Sequence, residues 1–203
     1  MIGCYDYTVV MTYLGLISAL VGIVQCIQGN FVAGLFLLGG SLFCDTLDGK
    51  IARSKKNRTR REQLFGIQID SLCDVISFGI APAVMCYCYG LRDWPSLILL
   101  GYYCLCCVIR LGYFNVLAME NDPDSKGVFH GLPVVCLAVL MPLAFLTSLW
   151  LPTAAVLWIM RAVFLVMGTL YITDFKVKKP GWMMLVILCV IFWLPLALFC
   201  IFG

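Results

Sequence analysis

Seven apolar runs of about twenty residues follow one another along the chain and leave little room for anything else. A run of that length can cross the hydrocarbon core of a bilayer as a helix. Within lipid, only helices and closed barrels satisfy every backbone hydrogen bond. We therefore predict an all-α polytopic bundle of six to eight spans, with one domain over residues 1–203. The seven runs are Thr8–Gln28, Phe31–Ile51, Ile67–Gly90, Ser96–Met119, Leu132–Trp150, Thr153–Thr173 and Trp182–Phe202.

Composition agrees with this prediction and excludes a soluble domain. Apolar residues make up 63% of the 203 residues, charged residues only 12%, and the mean hydropathy is +0.99. We expect membrane lipids, and no nucleic acid, among the partners. The first run lacks a basic leader and a small-residue cleavage pattern, so we interpret it as a span. Most of the twelve cysteines fall within apolar runs and are interpreted as small apolar side chains.

Basic residues are concentrated in alternate loops, which predicts the orientation of the bundle. Seven of the fourteen Lys and Arg residues lie between Lys50 and Arg61, and others follow the fourth and sixth runs. Such loops face the cytoplasm. The N-terminus is then cytoplasmic, and we expect the chain in a bacterial or archaeal cytoplasmic membrane. The basic residues after the sixth run, interpreted as topology determinants and anionic-lipid anchors, are Lys176, Lys178 and Lys179.

Four aspartates lie at the ends of two apolar runs, where carboxylates are costly. Asp45 and Asp48 are three residues apart at the end of the second run, and Asp70 and Asp74 are four apart in the third. Each spacing places its pair on one helical face. The short basic loop between the runs makes an antiparallel hairpin. We therefore expect all four carboxylates to converge at the cytoplasmic membrane face.

Converging carboxylates repel one another, so a compensating cation is implied. Oxygen ligands favour Mg²⁺, Mn²⁺ or Ca²⁺, and two such ions sharing four carboxylates suit phosphoryl chemistry. The alternative is a static network in which the aspartates pair with neighbouring basic residues. Those basic residues are Lys50, Arg53 and Lys55.

The aspartates and their neighbours resemble the signature of the CDP-alcohol phosphatidyltransferase family, DxxDGxxAR…GxxxDxxxD. The stretch between Arg53 and Gly66 holds twelve residues, more than in most members, and we interpret the excess as a longer cytoplasmic loop. The eight matching positions are Asp45, Asp48, Gly49, Ala52, Arg53, Gly66, Asp70 and Asp74.

The resemblance implies transfer of a phosphatidyl group from a CDP-linked lipid to an alcohol, with release of CMP. By motif position, all four aspartates would hold Mg²⁺ or Mn²⁺, in a two-metal site, and Asp74 would also act as general base. The expected CDP-lipid-binding residues are Gly49, Ala52, Arg53, Gly66 and Thr12. For Thr12, a hydrogen bond to its own helix is an equally good interpretation. Members often form homodimers, which we also expect here.

Three later segments, "RLGYFNV", "FHGLP" and "YITDFKVKK", resemble the serine-using subgroup, in the same order. The resemblance implies CDP-diacylglycerol as donor and L-serine as acceptor. Arg110 is an intramembrane cation that suits a carboxylate, although a motif aspartate or a lipid phosphate would also suit it. Ser77 and Asn115 are further candidates for acceptor binding, or for helix packing. His130 is interpreted as a loop residue, and the role of Arg161 is left open.

Other functions remain open at this point. A sibling transferase would use glycerol phosphate or inositol phosphate as acceptor. An intramembrane prenyltransferase also uses aspartate-rich helices, but with motifs on more distant spans. A divalent-cation carrier would distribute its acids across the depth of the membrane, whereas these four are predicted at one face.

Overall fold

The computed structural model describes residues 7–55, 57, 59–120, 128–178, 191–199 and 201. Within these ranges the chain is helical apart from loops and two three-residue strands. The helices are α1 Val10–Ile27, α2 Phe31–Ser54, α3 Arg60–Asp74, α4 Ala81–Tyr89, α5 Trp94–Glu120, α6 Val135–Leu146 and α7 Thr153–Ile172, with a π-helical segment Val75–Ile80, a 3₁₀ turn Thr147–Leu149 and helical residues 191–199.

Five helices of the described part are long and apolar enough to cross a membrane, the third being the continuous segment Arg60–Tyr89. A shorter apolar helix, Val135–Leu149, coincides with the fifth predicted span. The all-α bundle of an integral membrane protein is thus confirmed. Most of the seventh predicted span, Trp182–Phe202, lies outside the described residues, although 191–199 are helical.

Helix α3 begins at Arg60, well before the apolar run at Ile67. A capping box explains the early start: the Thr59 hydroxyl accepts from the Glu62 N–H at 3.2 Å, and Glu62 Oε2 accepts from the Thr59 N–H at 2.8 Å. A search for apolar runs does not include this first turn, because its residues are polar. The expected longer loop is therefore wrong, because most of the extra residues are helical and only 55–59 connect α2 to α3.

The third span changes from α to π geometry directly after Asp74. In the π segment the Ala81 N–H donates to the carbonyl of Ile76, five residues back. Pro82 accounts for the disturbance, because it has no N–H to offer to the carbonyl of Phe78, four residues back. The hydroxyl of Tyr103, on α5, donates to that carbonyl at 2.6 Å instead. A buried tyrosine thus satisfies the backbone group that proline leaves free.

Helices α1 and α2 pack closely, and small residues make this possible. A Cβ on Gly22 would lie 3.1 Å from the carbonyl oxygen of Gly34, so the two backbones nearly touch there. Nearer the aspartates, a Cβ on Gly15 would lie 3.2 Å from Cys44 Cβ. The close approach holds α1 against the α2 face that carries the first aspartate pair.

A short ribbon joins two loops that the alternation of the helices places on the same side of the bundle as the α2–α3 loop. Strand β1, Val128–His130, pairs antiparallel with β2, Lys176–Lys178, in the register Phe129 to Val177. His130 thus lies in a strand and not in a plain loop. Gly131 follows with φ +69°, where a Cβ would also lie 3.1 Å from Arg110 Nη1. The turn therefore needs glycine on two grounds.

Arg161, left open by the sequence, has a structural role at the other end of the bundle. Its Nη2 donates to Asp93 Oδ1 at 2.7 Å, and its Nε donates to Ser96 Oγ at 2.8 Å. The guanidinium also lies over the Trp158 ring, 4.6 Å from the centroid. Hydrogen bonds from Ser96 and then from Arg161 lower the pKa of the Asp93 carboxyl to about 2. This cluster fastens α7 to the start of α5.

Candidate active site

The hairpin of α2 and α3 brings the four predicted aspartates together. Carboxyl groups pair across the two helices: Asp45 lies within hydrogen-bonding reach of Asp74, and Asp48 of Asp70. In an antiparallel hairpin, the two acids farther from the loop face each other, as do the two nearer ones. One oxygen each of Asp45, Asp70 and Asp74 lie within 4.8 Å of one another. The convergence expected from spacing alone is present.

Asp48 is the most buried of the four, with 8% of its surface exposed, and α1 holds it in place. Thr12 Oγ1 donates to Asp48 Oδ2 at 3.2 Å. The Thr12 hydroxyl therefore reaches across to the acid cluster, which favours its interpretation as a site residue over a bond within its own helix.

The cluster fits a divalent cation. Asp70 Oδ1 is buried without a hydrogen-bond partner among the described residues, which is costly for a carboxylate oxygen unless a cation satisfies it. The surrounding donors are carboxylate oxygens, the ligands that hard divalent ions prefer. Lys55, one of the cations in the alternative network, instead donates to Glu62 Oε1 at 2.9 Å. The donor set and the unsatisfied oxygen both favour the metal interpretation.

A cavity of about 300 Å³ opens beside Asp48 and Asp70, between α1, α2 and α3. Of the residues predicted to bind the CDP-lipid, four line it: Thr12, Gly49, Ala52 and Gly66. A Cβ on Gly49 would meet no atom within 4 Å, so its missing side chain leaves the cavity open. Gly66 is in regular helix despite the unusual motif spacing. For Arg53 the backbone is helical, but its side chain lies outside what the structure describes.

Other residues, which the motif does not include, also line this cavity. Gln63 precedes Gly66 by three residues and Thr8 precedes Thr12 by four, so each shares a helical face or turn with a predicted residue. That spacing was the signal that could have identified them. Val9 and Ile67 complete the lining.

Two of the three acceptor-binding candidates lie near α3. Ser77 is buried and lines a very small cavity, about 10 Å³, together with Asp45 and Asp74. That volume holds about one water molecule and no amino acid. Asn115 accepts from Ser71 Oγ at 2.7 Å and donates to Gln68 Oε1 at 3.3 Å, so its amide links α5 to α3.

Arg110 is separate from the cavities that the aspartates line. It is 6% exposed, and its guanidinium carbon lies 4.3 Å from the centroid of the Phe114 ring. It lines a cavity of about 260 Å³ between α5 and the C-terminal end of α7. Among the described residues, those that line this cavity and those that line the aspartate cavities do not overlap. Within the described residues, Arg110 and the four motif aspartates thus line separate cavities.

The family model for CDP-alcohol phosphatidyltransferase matches residues 8–173, which include every residue described at the site. CDP-alcohol phosphatidyltransferases generally depend on divalent metal ions, in agreement with the acid cluster.

Three named relatives resemble the chain over about two thirds of its length or more. It is 32% identical over 148 residues to the CDP-diacylglycerol–serine O-phosphatidyltransferase of Saccharomyces cerevisiae (66% of this chain, 52% of the relative). The Helicobacter pylori protein of the same name is 33% identical over 148 residues (69% and 55%). The archaetidylserine synthase of Methanothermobacter thermautotrophicus is 34% identical over 160 residues (77% and 64%). The chain spans about half the length of the first two relatives. With the family model matched over most of its length, the chain belongs to the CDP-alcohol phosphatidyltransferase family.

Proposed function

We propose that the chain transfers the phosphatidyl group from CDP-diacylglycerol to L-serine, giving phosphatidylserine and CMP. The observation that carries this proposal is the convergence of Asp45, Asp70 and Asp74, with one Asp70 oxygen buried and unsatisfied among the described residues, beside a cavity of about 300 Å³. The names of the relatives support serine as the acceptor. Serine use by this chain rests on that likeness and on the three segments that resemble the serine subgroup.

The proposed cofactor is Mg²⁺ or Mn²⁺, with two ions held by the four aspartates. When bound, such ions would neutralise the charge of the donor pyrophosphate and of the departing CMP. The protein contributes a rigid frame for its acids. Thr12 fixes one Asp48 oxygen, and the α2–α3 hairpin keeps both carboxyl pairs in register. Little reorganisation is then needed when the donor arrives.

The donor is proposed to bind in the aspartate-lined cavity. Gly49, Ala52 and Gly66 have little or no side chain, so a nucleotide can approach the helix backbones closely. Arg53, on the last turns of α2, is proposed to contact phosphate. Gln63 adds an amide whose donor and acceptor groups suit a nucleobase or ribose.

Asp74 is proposed as the general base. It is the acid farthest from the loop on α3, and it borders the small cavity that Ser77 lines. A carboxylate oxygen of Asp74 would take the proton of the serine hydroxyl while the serine oxygen bonds to the phosphatidyl phosphorus. The bond from this phosphorus to the CMP oxygen breaks, and CMP leaves with the electron pair. Arg110, Ser77 and Asn115 are proposed to position the acceptor.

The orientation and assembly of the chain are also proposals. The α2–α3 loop and the β1–β2 ribbon are proposed to face the cytoplasm of a bacterial or archaeal cell, since their segments carry most of the basic residues. Donor, serine and metal would then reach the aspartates from that side. The homodimer expected from the resemblance stays a prediction.

The test is CMP release by purified protein in nanodiscs with CDP-diacylglycerol and Mn²⁺. We expect release with L-serine and only background release with glycerol phosphate, inositol phosphate or no acceptor. Release with another alcohol alone would favour a sibling transferase. No release with any acceptor would contradict the proposal and return attention to prenyl transfer or cation transport.

The base assignment has its own test. Asp74→Asn is expected to abolish turnover while retaining CDP-diacylglycerol binding better than Asp45→Asn, because the base acts on the acceptor. Binding is measured by retention of labelled donor on nanodiscs. Equal loss of donor binding in the two variants would argue against Asp74 as base and for a purely metal-binding role.

A further inference from the structure

The cavity at Arg110 is built by segments that are distant in the sequence. Arg110 and Tyr113 come from "RLGYFNV" on α5, and Tyr171 to Asp174 come from "YITDFKVKK" at the end of α7. Gly131, from "FHGLP", leaves room for the guanidinium, because a Cβ at this position would lie 3.1 Å from Arg110 Nη1. Strands β1 and β2 tie the second and third segments together. The segments that resemble the serine subgroup therefore meet at one place.

The lining of this cavity suits a small zwitterion. It offers one buried cation, Arg110, and one exposed carboxylate, Asp174. Ile109 and Ile172 supply apolar wall. A guanidinium has five donors, so it can keep its protein contacts and still hold a carboxylate. The volume, about 260 Å³, accommodates an amino acid but not a nucleotide lipid.

The cavity lies at the membrane depth of the proposed base. Helix α5 packs along α3 and the π segment. Along α5, Arg110 lies between two of the contacting residues, and Asp74 lies between their partners on the facing helix. Because α-helices rise about 1.5 Å per residue, Arg110 and Asp74 are then nearly level. The contacts are Cys104 Sγ with the Gly79 carbonyl oxygen at 3.6 Å, and Asn115 Oδ1 with Ser71 Oγ at 2.7 Å.

We propose that this second cavity recognises an α-amino acid group, with Arg110 holding the carboxylate and Asp174 holding the ammonium. Asp174, which lies within "YITDFKVKK", is then a specificity-determining residue. The inference rests on the proposed function, which it deepens by naming how the acceptor is selected. The recognised group occurs in free L-serine and in the headgroup of the product lipid, so the experiment separates these two sources.

The kinetic test compares L-serine with 3-hydroxypropionate, which has the same hydroxyl and carboxylate but no ammonium. In Asp174→Asn we expect the KM for L-serine to rise about ten- to a hundred-fold, as for a lost charge-assisted hydrogen bond. The KM for CDP-diacylglycerol and the slow rate with 3-hydroxypropionate stay unchanged. Asp93→Asn, at the opposite end of the bundle, is the matched control. An unchanged preference for L-serine in Asp174→Asn overturns the proposal.

Binding measurements keep the test independent of turnover. Calorimetry on nanodiscs should show L-serine binding to the wild type and weakened binding to Asp174→Asn. Lipid retention should favour phosphatidylserine over phosphatidylglycerol if the headgroup is the occupant. Equal retention of the two lipids, without binding of L-serine, would identify a site for anions only and refute the zwitterion assignment. Absence of CMP release with intact L-serine binding would instead contradict the proposed function alone.

Discussion

Gly49→Ala should separate stability from activity, because Gly49 is in the interior of α2 and faces the aspartate-lined cavity. An added Cβ would meet no atom within 4 Å, so the folded protein can accept it without strain. Replacing a mid-helix glycine by alanine stabilises a water-exposed helix by about 0.5–1 kcal/mol. For a chain of this size, that gain raises Tm by about 1–4 °C.

The same methyl group enters the space in which the donor is proposed to bind. One surplus methyl in a fitted pocket costs about 1–3 kcal/mol of transition-state binding, or about 10- to 200-fold in kcat/KM. We therefore expect Gly49→Ala to raise Tm slightly while lowering kcat/KM for CDP-diacylglycerol by at least about tenfold. Thermal unfolding in nanodiscs and CMP release measure the two quantities on one preparation.

Gly112→Ala is the matched control. Gly112 is also in the interior of a helix, α5, and a Cβ there likewise meets no atom within 4 Å, but it lines neither large cavity. We expect a similar change in Tm with unchanged kcat/KM. A lower Tm in Gly49→Ala would show that the space is filled, and an unchanged kcat/KM would show that the donor binds elsewhere; either result refutes the reasoning.

Three further predictions follow from single contacts. Asp70→Asn should raise Tm in EDTA, because it relieves the repulsion between carboxylates. It should also weaken Mn²⁺ binding, measured by electron paramagnetic resonance. An unchanged Mn²⁺ affinity would contradict the metal site. Tyr103→Phe should destabilise by about 1–3 kcal/mol in denaturant titration, since it leaves the Phe78 carbonyl buried and unpaired; a neutral effect would mean that the carbonyl finds another donor. Asp93→Asn should lower Tm by the same amount from pH 5 to pH 9. The pKa of the Asp93 carboxyl is held at about 2, below its ordinary value, so the stability that this carboxyl contributes is fully present above about pH 4 and is lost as pH falls towards 2. A Tm difference that varies across that range would disprove this origin.

The aspartate cluster was predictable because it depends on local periodicity. Spacings of three and four residues put each pair on one helical face, and a short loop between two apolar runs leaves only an antiparallel hairpin. Hydropathy likewise located the described spans to within a few residues, apart from the start of α3. That start was missed because the capping box of Thr59 and Glu62 is a polar signal, which a search for apolar runs ignores.

The sequence by itself determined that the helices of this protein lie in a membrane and that its four motif aspartates come together, since apolar length and residue spacing are local properties. Only the tertiary structure decided where Arg110 lies. The sequence predicted that Arg110 is an intramembrane cation, but it did not decide whether the guanidinium pairs with a motif aspartate or with a substrate. The packing of α5 against α7, together with the β1–β2 ribbon, places it in a second cavity with Asp174, more than sixty residues along the chain. No local pattern encodes that shared cavity, because it depends on how helices distant in sequence are arranged around one another.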